Sequence, residues 1–251
     1  MERTAHQVTL DLVCSLYREH AEALRAAKDA QRAHRRAHPT MKTQLDDVEA
    51  EITYLLLRHL RPDKVVEIGS LHGWSTSWIL RALADNGTGS LTTVDLIGNA
   101  TTTVPHTLAK GRWEFRQGDA RTLAGDWLSD VDYLFIDADH GARFARWYLS
   151  DVFPNIDAAV SVHDVFHRAT PLPFTEGTEV VRWLEKTRTP YFTAARARAK
   201  HAYACLNELR RELGLDAVVH TGRDNPMIYF RIHRSVDARF TAGGSEVAPF
   251  R

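Results

Sequence analysis

The fold of this 251-residue chain is decided by the stretch Lys64-Val-Val-Glu-Ile-Gly-Ser-Leu-His-Gly-Trp-Ser-Thr76. The apolar run near its start predicts a buried parallel strand over Val65–Ile68. Gly69 and Gly73 then allow backbone angles and a close approach that a Cβ would forbid. The helical pattern that follows at Ser75 places free N–H groups at the same end of the strand. The stretch therefore predicts a strand, a ligand-binding turn and a helix.

The turn in this stretch lacks the glycine spacing of a dinucleotide site. A dinucleotide fingerprint carries three glycines as G-x-G-x-x-G, whereas this turn reads Glu67-x-Gly69-x-x-x-Gly73. The pattern resembles motif I of the class I S-adenosylmethionine (SAM) methyltransferases, in which the acid and the glycine loop hold the methionine end of the cofactor. The resemblance implies that SAM contacts Glu67, Gly69, Ser70, Gly73 and Ser75. An ordinary strand-to-helix turn of an α/β protein is the alternative.

Strands and helices alternate along the chain after this turn, which predicts a parallel sheet with helices on both faces. The predicted strands are Val65–Ile68, Leu91–Asp95, Trp113–Arg116, Tyr133–Asp137 and Ala158–Val162. The predicted helices are Ser75–Ala84, Thr122–Leu128, Arg143–Phe153 and Thr178–Lys186. A helical insertion over residues 194–213 precedes two further predicted strands, Ala217–His220 and Met227–Ile232.

The predicted fold class is α/β, a doubly wound, seven-stranded, Rossmann-like methyltransferase sheet with a terminal antiparallel β-hairpin and an N-terminal helical extension. Residues 1–40 are expected to form that extension, as a lid or a dimer contact, because their apolar stripe is too small to make a core alone. Residues 41–234 are expected to be the SAM-dependent methyltransferase domain. Residues 235–251 are expected to be a flexible tail.

Three acidic side chains fall at the carboxyl ends of successive predicted strands, where open α/β sheets bind their ligands. Glu67 is the first, Asp95 closes the second strand, and Asp119 follows the third. A carboxylate at Asp95 can accept hydrogen bonds from both ribose hydroxyls. Asp119, beside Ala120, is suited to accept a bond from the adenine amino group. This series resembles that of the class I methyltransferases, and a polar strand end is the alternative for each residue alone.

Two further motifs resemble a particular branch of this family. The fourth strand ends in Tyr133-Leu-Phe-Ile-Asp-Ala-Asp-His140, and the fifth runs Ala158-Ala-Val-Ser-Val-His-Asp164. Together they are similar to the catechol-type O-methyltransferases and to the macrocin-type sugar O-methyltransferases. The resemblance covers about residues 45–190.

In that branch, acidic side chains at these strand ends bind a divalent cation that holds the acceptor hydroxyl. The resemblance implies Asp137, His163 and Asp164 as metal ligands, with Asp137 also close to SAM. A histidine at 163 departs from the carboxylate often found there, and it suits Mn²⁺, Fe²⁺ or Zn²⁺ better than Mg²⁺. Without a metal, His140 or His163 is the candidate general base. The candidate catalytic residues are therefore His140, His163 and Asp137.

The overall charge and hydropathy bear on partners and location. Lys and Arg together number 32, and so do Asp and Glu together, so the formal net charge is zero. Nucleic-acid binders usually carry an excess of basic residues. No apolar run reaches the roughly 18 residues of a membrane span, and the N-terminus lacks a signal-peptide pattern. We therefore expect a cytoplasmic protein with a small-molecule acceptor and without nucleic-acid or membrane partners. Homo-oligomerisation is left open.

The expected activity is SAM-dependent O-methylation of a small molecule, in secondary metabolism. A carboxylate or an amine is a second choice for the methylated group. Three alternatives remain: a non-catalytic SAM- or nucleotide-binding regulatory module, an RNA or protein methyltransferase, and a metal-dependent hydroxylase or other non-methyl chemistry on the same scaffold.

Overall fold

A computed structural model describes residues 7–123, 126–222 and 224–234 of the chain. In this described part, seven strands form one sheet in the order β3-β2-β1-β4-β5-β7-β6. Their bounds are β1 Lys64–Ile68, β2 Ser90–Asp95, β3 Trp113–Gln117, β4 Tyr133–Ile136, β5 Ala158–Val162, β6 Tyr191–Thr193 and β7 Ile228–Ile232. The expected seven-stranded α/β sheet is confirmed.

Helices precede the sheet and connect its strands. Their bounds are α1 Leu10–Glu19, α2 Ala21–Ala37, α3 Asp47–Leu60, α4 Trp74–Asn86, α5 Ala100–Thr103, α6 His106–Ala109, α7 Ala142–Trp147, α8 Glu176–Thr187 and α9 Lys200–Glu212. A π-helical turn, Tyr148–Val152, and a 3₁₀ turn, Phe153–Asn155, continue α7. None of the helices within the described ranges is both long and apolar enough to cross a membrane.

The register of the central strands brings their carboxyl ends to one edge of the sheet. β1 to β5 are parallel, with Ile68 paired to Ile136 and Ile136 paired to Val162. The residues that follow these strands therefore meet at the same level. Successive side chains of a strand point to opposite faces, so Val65 packs under α3 and α4 while Val66 packs under α7 and α8.

The antiparallel pair at the sheet edge differs from the predicted hairpin in its first strand. β7 pairs with β5 and with β6, Tyr191–Thr193, which precedes α9. The predicted strand Ala217–His220 is wrong, because the N–H groups of Val219 and His220 donate to the carboxylate of Asp47 at 2.9 and 2.7 Å. That segment is therefore a loop held by α3.

Two other predicted segments reach outside the described ranges. The predicted helix Thr122–Leu128 includes residues 124–125, which the structure does not describe, and residues 126–130 form bends and turns. The expected tail, 235–251, also lies outside the described residues.

The N-terminal helices pack against the rest of the fold. α1 contacts α3 and α9, while α2 contacts α3 and α4. Val13, Leu16 and Leu24 are at most 1% exposed and join the core cluster that contains α3. The expectation that residues 1–40 serve as a lid or a dimer contact stays a prediction.

A buried network of charges joins the N-terminal helices to α3 and α9. Glu51 accepts two bonds from the Arg210 guanidinium at 2.7 and 3.0 Å, and one from Tyr17 Oη at 2.9 Å. Lys28 Nζ contacts Glu51, and it lies 3.5 Å from Asp47. The cations of Lys28 and Arg210 thus face two buried carboxylates. Removal of one partner would leave a buried charge that is not fully compensated.

Candidate active site

The glycine turn after β1 packs against the end of β4 with no room for a side chain. Gly69 has a φ of +86°, and a Cβ there would lie 2.0 Å from the carbonyl oxygen of Asp137. Gly73 has a φ of +76° and begins α4, where a Cβ would lie 2.6 Å from Val104 Cγ2. Both glycines are therefore required by contact as well as by conformation.

A cavity of about 250 Å³ opens beside this turn at the carboxyl ends of β1 to β4. Five of the predicted cofactor-binding residues line it: Gly69, Asp95, Asp119, Ala120 and Asp137. Sequence reasoning missed other lining residues, which include Leu71, Leu96, Arg121 and Phe144. Leu96 is 67% exposed. Its position directly after Asp95, at a strand end, could have identified it from the sequence as a lining residue. The cavity is open to a ligand along the edge where α/β sheets bind nucleotides.

Asp95 holds the glycine turn from the neighbouring strand. Its Oδ2 accepts the N–H groups of Ser70 and Leu71 at 2.7 and 2.8 Å. Its Oδ1 accepts the N–H of Ile97 at 3.0 Å. The carboxylate thus sets the loop conformation from within the cavity wall. Ser70 is placed by this contact and is not itself a wall of the cavity.

Glu67 lies beneath the turn and is fully buried. It accepts the hydroxyls of Ser75, Thr76 and Thr93 at 2.5, 2.6 and 2.8 Å. Burial raises its pKa to about 7, although the three hydroxyl donors oppose that shift. The structure therefore places Glu67 and Ser75 behind the cavity, where they tie the start of α4 to β1 and β2.

Asp119 forms an ion pair with a residue that the sequence did not single out. Arg121 Nη2 lies 2.6 Å from Asp119 Oδ2, and the Arg121 N–H donates to Oδ1 at 2.9 Å. The Arg121 side-chain and backbone bonds hold the pKa of the Asp119 carboxyl below its usual range. An adenine amino group at this position would share the carboxylate with the guanidinium.

His163 is buried between carboxylates at the end of β5. Its Nδ1 lies 3.1 Å from Asp137 Oδ1 and its Nε2 lies 3.3 Å from Glu49 Oε2. Burial opposes the charge on the imidazole, yet Asp137 and Glu49 raise the pKa of His163 well above its ordinary value. Both ring nitrogens of His163 thus face carboxylate oxygens, which favour its protonated form. Glu49 was not predicted, since it comes from α3, far away in the sequence.

His140 is partly exposed, with 41% of its side chain accessible. Its Nδ1 lies 3.1 Å from Glu176 Oε2, and its Nε2 lies 3.3 Å from Asp164 Oδ2. Glu176 is buried and also accepts the hydroxyl of Tyr148 at 2.8 Å. Burial opposes protonation of His140, but Glu176 and Asp164 raise its pKa above the usual range. The structure therefore pairs the predicted His140 with an oriented, unpredicted carboxylate.

The predicted metal ligands meet, but they contact each other. Asp137 and Asp164 both approach His163 Nδ1, at 3.1 and 3.3 Å. The opposite nitrogen of that ring faces Glu49. In the described ranges, no three His, Cys, Asp or Glu side chains are arranged to hold a metal ion. As placed, these side chains bond to one another and do not fit a metal centre.

Comparison with known proteins identifies the domain. Residues 66–165 match a protein family described as "Methyltransferase domain". This segment contains the glycine turn, the cavity and the His163–Asp164 pair. No curated protein matches the chain at a significant level.

Solved structures share the fold at low sequence identity. A protein of Staphylococcus aureus assigned as a caffeoyl-CoA O-methyltransferase is 11% identical, covers 89% of this chain and 99% of its own, and has a TM-score of 0.55. The O-methyltransferase TomG of Streptomyces achromogenes, in complex with SAM, is 18% identical, covers 82% of this chain and 89% of its own, and has a TM-score of 0.50. Residues 66–165 thus match a methyltransferase domain, and the described sheet shares the fold of these solved methyltransferases.

Proposed function

We propose that this chain transfers the methyl group of SAM to a hydroxyl of a small molecule, with His140 as the general base. The observation that carries the proposal is the pair formed by His140 and the buried Glu176. It lies beside Asp137, a wall of the cofactor cavity, whose Oδ1 is 3.7 Å from His140 Nε2.

The geometry supports one tautomer of His140. With Nδ1–H donating to Glu176, Nε2 faces Asp164 Oδ2 at 3.3 Å, and in the deprotonated ring this nitrogen is the one that takes a proton. Glu176 is positioned in turn by its bond from Tyr148 and by its own N–H, which donates to the His140 carbonyl at 2.8 Å. A carboxylate behind the imidazole stabilises the imidazolium that forms when the base takes a proton.

The reaction is an in-line displacement at the sulfonium methyl. The acceptor oxygen forms a bond to the methyl carbon as the carbon–sulfur bond breaks, which releases S-adenosylhomocysteine. The hydroxyl proton passes to Nε2 of His140. The protein supplies near-attack positioning and proton removal.

A positioned base favours a hydroxyl acceptor over the alternatives. A carboxylate is already ionised at neutral pH, so it needs no base. Asp137 and Asp164 beside His140 would also repel it. A hydroxyl must lose its proton during transfer, and it gains most from the pair of His140 with Glu176. An amine remains the second choice, and small-molecule biosynthesis follows by analogy with TomG, which is involved in tomaymycin synthesis.

The remaining cofactor assignments are part of the same proposal. Asp95 would accept the ribose hydroxyls with lone pairs that the glycine turn does not use, and Asp119 the adenine amino group. Gly69 lets the methionine end approach the backbone of β1. Glu67 and Ser75 would act on the cofactor through the position of α4.

The test is formation of S-adenosylhomocysteine from SAM with a panel of hydroxyl-bearing acceptors. His140→Gln should lower kcat by roughly 10²-fold or more, because general-base catalysis contributes about that much. Glu176→Gln should also lower kcat, and both variants should bind S-adenosylhomocysteine as the wild type does. The matched control is His106→Gln, an exposed histidine on α6.

Three results would contradict the proposal. If the wild type bound neither SAM nor S-adenosylhomocysteine, a SAM-dependent activity of this chain would be contradicted. Binding without product on any acceptor would favour the regulatory module. Turnover that a chelator abolishes and Mn²⁺ restores, with His140→Gln nearly unaffected, would transfer the proton-removal role from His140 to a metal.

A further inference from the structure

The carboxyl-terminal end of α2 carries two histidines one helical turn apart. His34 lies in the last turn of this helix, and His38 directly follows its last residue. Their spacing of four residues places both side chains on the same face of the helix. The ring centroids lie 4.7 Å apart, and the ring planes are inclined by 56°. The pair belongs to the N-terminal extension and shares no residue with the candidate active site.

A backbone contact decides which nitrogen of His38 can act as a ligand. The Nδ1 of His38 lies 3.1 Å from the carbonyl oxygen of His34. A carbonyl oxygen can only accept a hydrogen bond, so Nδ1 carries the proton and Nε2 of the neutral ring holds the lone pair. Histidines that bind metals commonly donate their other ring N–H to a backbone carbonyl or a carboxylate in this way. His38 is partly exposed, and its tautomer is the one that a metal ligand needs.

His34 is buried, and one of its nitrogens lacks a partner. The residue is 8% exposed, and its Nε2 has no hydrogen-bond partner within the described ranges. Burial, and to a smaller extent the neighbouring His38, lowers the pKa of His34 to about 4. The ring is therefore neutral at pH 7, which is the form that binds metal ions. A buried nitrogen without a partner costs free energy, and a metal ion bound at Nε2 would remove that cost.

The separation of the two rings fits a shared metal ion. A metal–nitrogen bond of about 2.0–2.1 Å places the metal about 3.2 Å from the centroid of the imidazole ring. Two imidazoles that bind one metal at an angle of about 90–109° would therefore have centroids about 4.5–5.2 Å apart. The observed distance between the rings of His34 and His38, 4.7 Å, lies within this range. The helix thus holds the two rings at the spacing of two ligands of one ion.

The chemistry around the pair sets the class of ion. Arg35 and Arg36 lie between the histidines in sequence, but residues one and two positions along a helix point to other sides of it. The Arg35 guanidinium donates to the carbonyl of Val219, and Arg36 is exposed. In the part of the chain that the structure describes, no group of three His, Cys, Asp or Glu side chains is arranged around an ion, so water would complete the coordination. Two neutral imidazoles favour Zn²⁺, Ni²⁺ or Cu²⁺ over Mg²⁺ and Ca²⁺, which prefer oxygen ligands.

We propose that His34 and His38 are the two protein ligands of a site for a divalent transition-metal ion of the Zn²⁺, Ni²⁺ and Cu²⁺ class. The site is separate from the candidate active site, and the inference does not depend on the proposed methyl transfer. A bound ion would join the last turn of α2 to the residue that ends the helix. Because the unfolded chain does not hold the two rings together, the ion would stabilise the folded protein by mass action.

The experiment titrates the full chain, first freed of metals with a chelator, with Zn²⁺ in a calorimeter. NMR spectra of the ¹⁵N-histidine-labelled chain should show saturable shifts of the His34 and His38 signals, which are assigned by their loss in His34→Gln and His38→Gln. Each substitution should weaken the tightest Zn²⁺ binding at least about tenfold, the lower end of the loss expected when even an orienting partner of a metal ligand is removed. Mg²⁺ should leave both signals unchanged, and Zn²⁺ should raise the Tm of the wild type more than that of His38→Gln.

Matched variants separate this site from other histidines of the chain. His106→Gln changes an exposed histidine on α6 and should leave Zn²⁺ binding unchanged. His201→Gln should also leave it unchanged, although His201 Nε2 lies 3.6 Å from the sulfur of Cys205, one turn along α9.

Three results would overturn the site: a wild type without Zn²⁺ binding, full affinity in both His34→Gln and His38→Gln, or loss of affinity only in His201→Gln or His140→Gln. The last result would place the ion on α9 or in the candidate active site. If circular dichroism shows that His34→Gln is unfolded, His38→Gln at its partly exposed position decides the outcome.

Discussion

The candidate active site lies along one edge of the sheet, and its two halves are built from different kinds of sequence. The cofactor half consists of turns that directly follow β1, β2, β3 and β4, so each wall is a short piece of chain next to a strand. The other half, which we call the acceptor half because it adjoins the proposed base His140, joins the end of β5 to two segments far apart in the chain, Thr43–Gln44 and His220–Gly222. Short motifs beside strands can be recognised in a sequence. Walls assembled from distant segments become visible only after folding.

The two halves are also stabilised by different kinds of interaction. Gly69 and Asp95 shape the cofactor half through backbone contacts that tolerate no added atom and few changes in charge. The acceptor half depends on buried ions, since Asp47, which holds the His220 loop, is itself held near Lys28 and Arg210. A substitution should therefore damage one half without equal damage to the other.

The largest expected effect is on the acceptor half. Arg210→Met removes the guanidinium that bonds twice to Glu51, and it leaves the buried Glu51 and Asp47 to share the single charge of Lys28. The free energy of unfolding should fall by about 3–5 kcal/mol, as measured by urea denaturation. Where the variant is still folded, its affinity for S-adenosylhomocysteine should remain near that of the wild type.

The matched control is Arg211→Met, an exposed neighbour on the same helix, which should change stability by no more than about 0.5 kcal/mol. Equal effects of the two substitutions would show that the buried network does not stabilise this half. Loss of cofactor affinity in folded Arg210→Met would show that the two halves are not separable.

A smaller effect on stability, with a direct effect on cofactor binding, is expected at the glycine turn. Gly69→Ala places a Cβ 2.0 Å from the carbonyl oxygen of Asp137, whereas Gly87→Ala meets nothing within 4 Å. Both glycines have positive φ angles, so both substitutions carry similar conformational strain. Gly69→Ala should therefore be less stable than Gly87→Ala by about 1–3 kcal/mol.

Calorimetry should also show that Gly69→Ala binds S-adenosylhomocysteine more weakly, while Gly87→Ala binds it normally. Equal stability and equal affinity of the two variants would mean that the close packing of this turn is unimportant.

An effect of similar size, confined to cofactor binding, is expected from a single side chain of the cofactor half. Asp95→Ala removes the proposed acceptor of the ribose hydroxyls and the carboxylate that holds Ser70 and Leu71. Binding of S-adenosylhomocysteine should weaken by about 1.5–3 kcal/mol, as expected for hydrogen bonds to a charged group. Isothermal calorimetry measures this change, with the exposed Asp216→Ala as the control. An unchanged affinity in Asp95→Ala would refute the ribose site.

Prediction of the fold from sequence succeeded where hydrophobic patterns are local. The first five strands agree with the structure to within one residue at each end. β1, β4 and β5 are mostly apolar, buried runs, whereas β3 alternates apolar and polar residues. The first strand of the antiparallel pair was misplaced. Ala217–His220 has a strand-like composition, but the carboxylate of Asp47 takes the N–H groups that a neighbouring strand would bond.

Prediction of the site was uneven for a related reason. The positions of Asp95, Asp119 and Asp137 beside one cavity follow from their places at strand ends. Glu67 also lies at a strand end, yet Ser75, Thr76 and Thr93 enclose its carboxylate. Whether a strand-end acid points outward or inward depends on neighbouring side chains, which a single strand does not specify.

The sequence by itself determined the strand–turn–helix unit at Gly69, the positions of the parallel strands along the chain and the carboxylates at their ends. These features depend on residues close together in the chain, and on a period of two or of 3.6 residues. Only the tertiary structure decided that Glu49 engages His163, that Glu176 orients His140, and that Asp47 holds His220. Each of these pairs joins residues from distant segments, and its members meet because burial of apolar surface brings their helices and loops to one edge of the sheet.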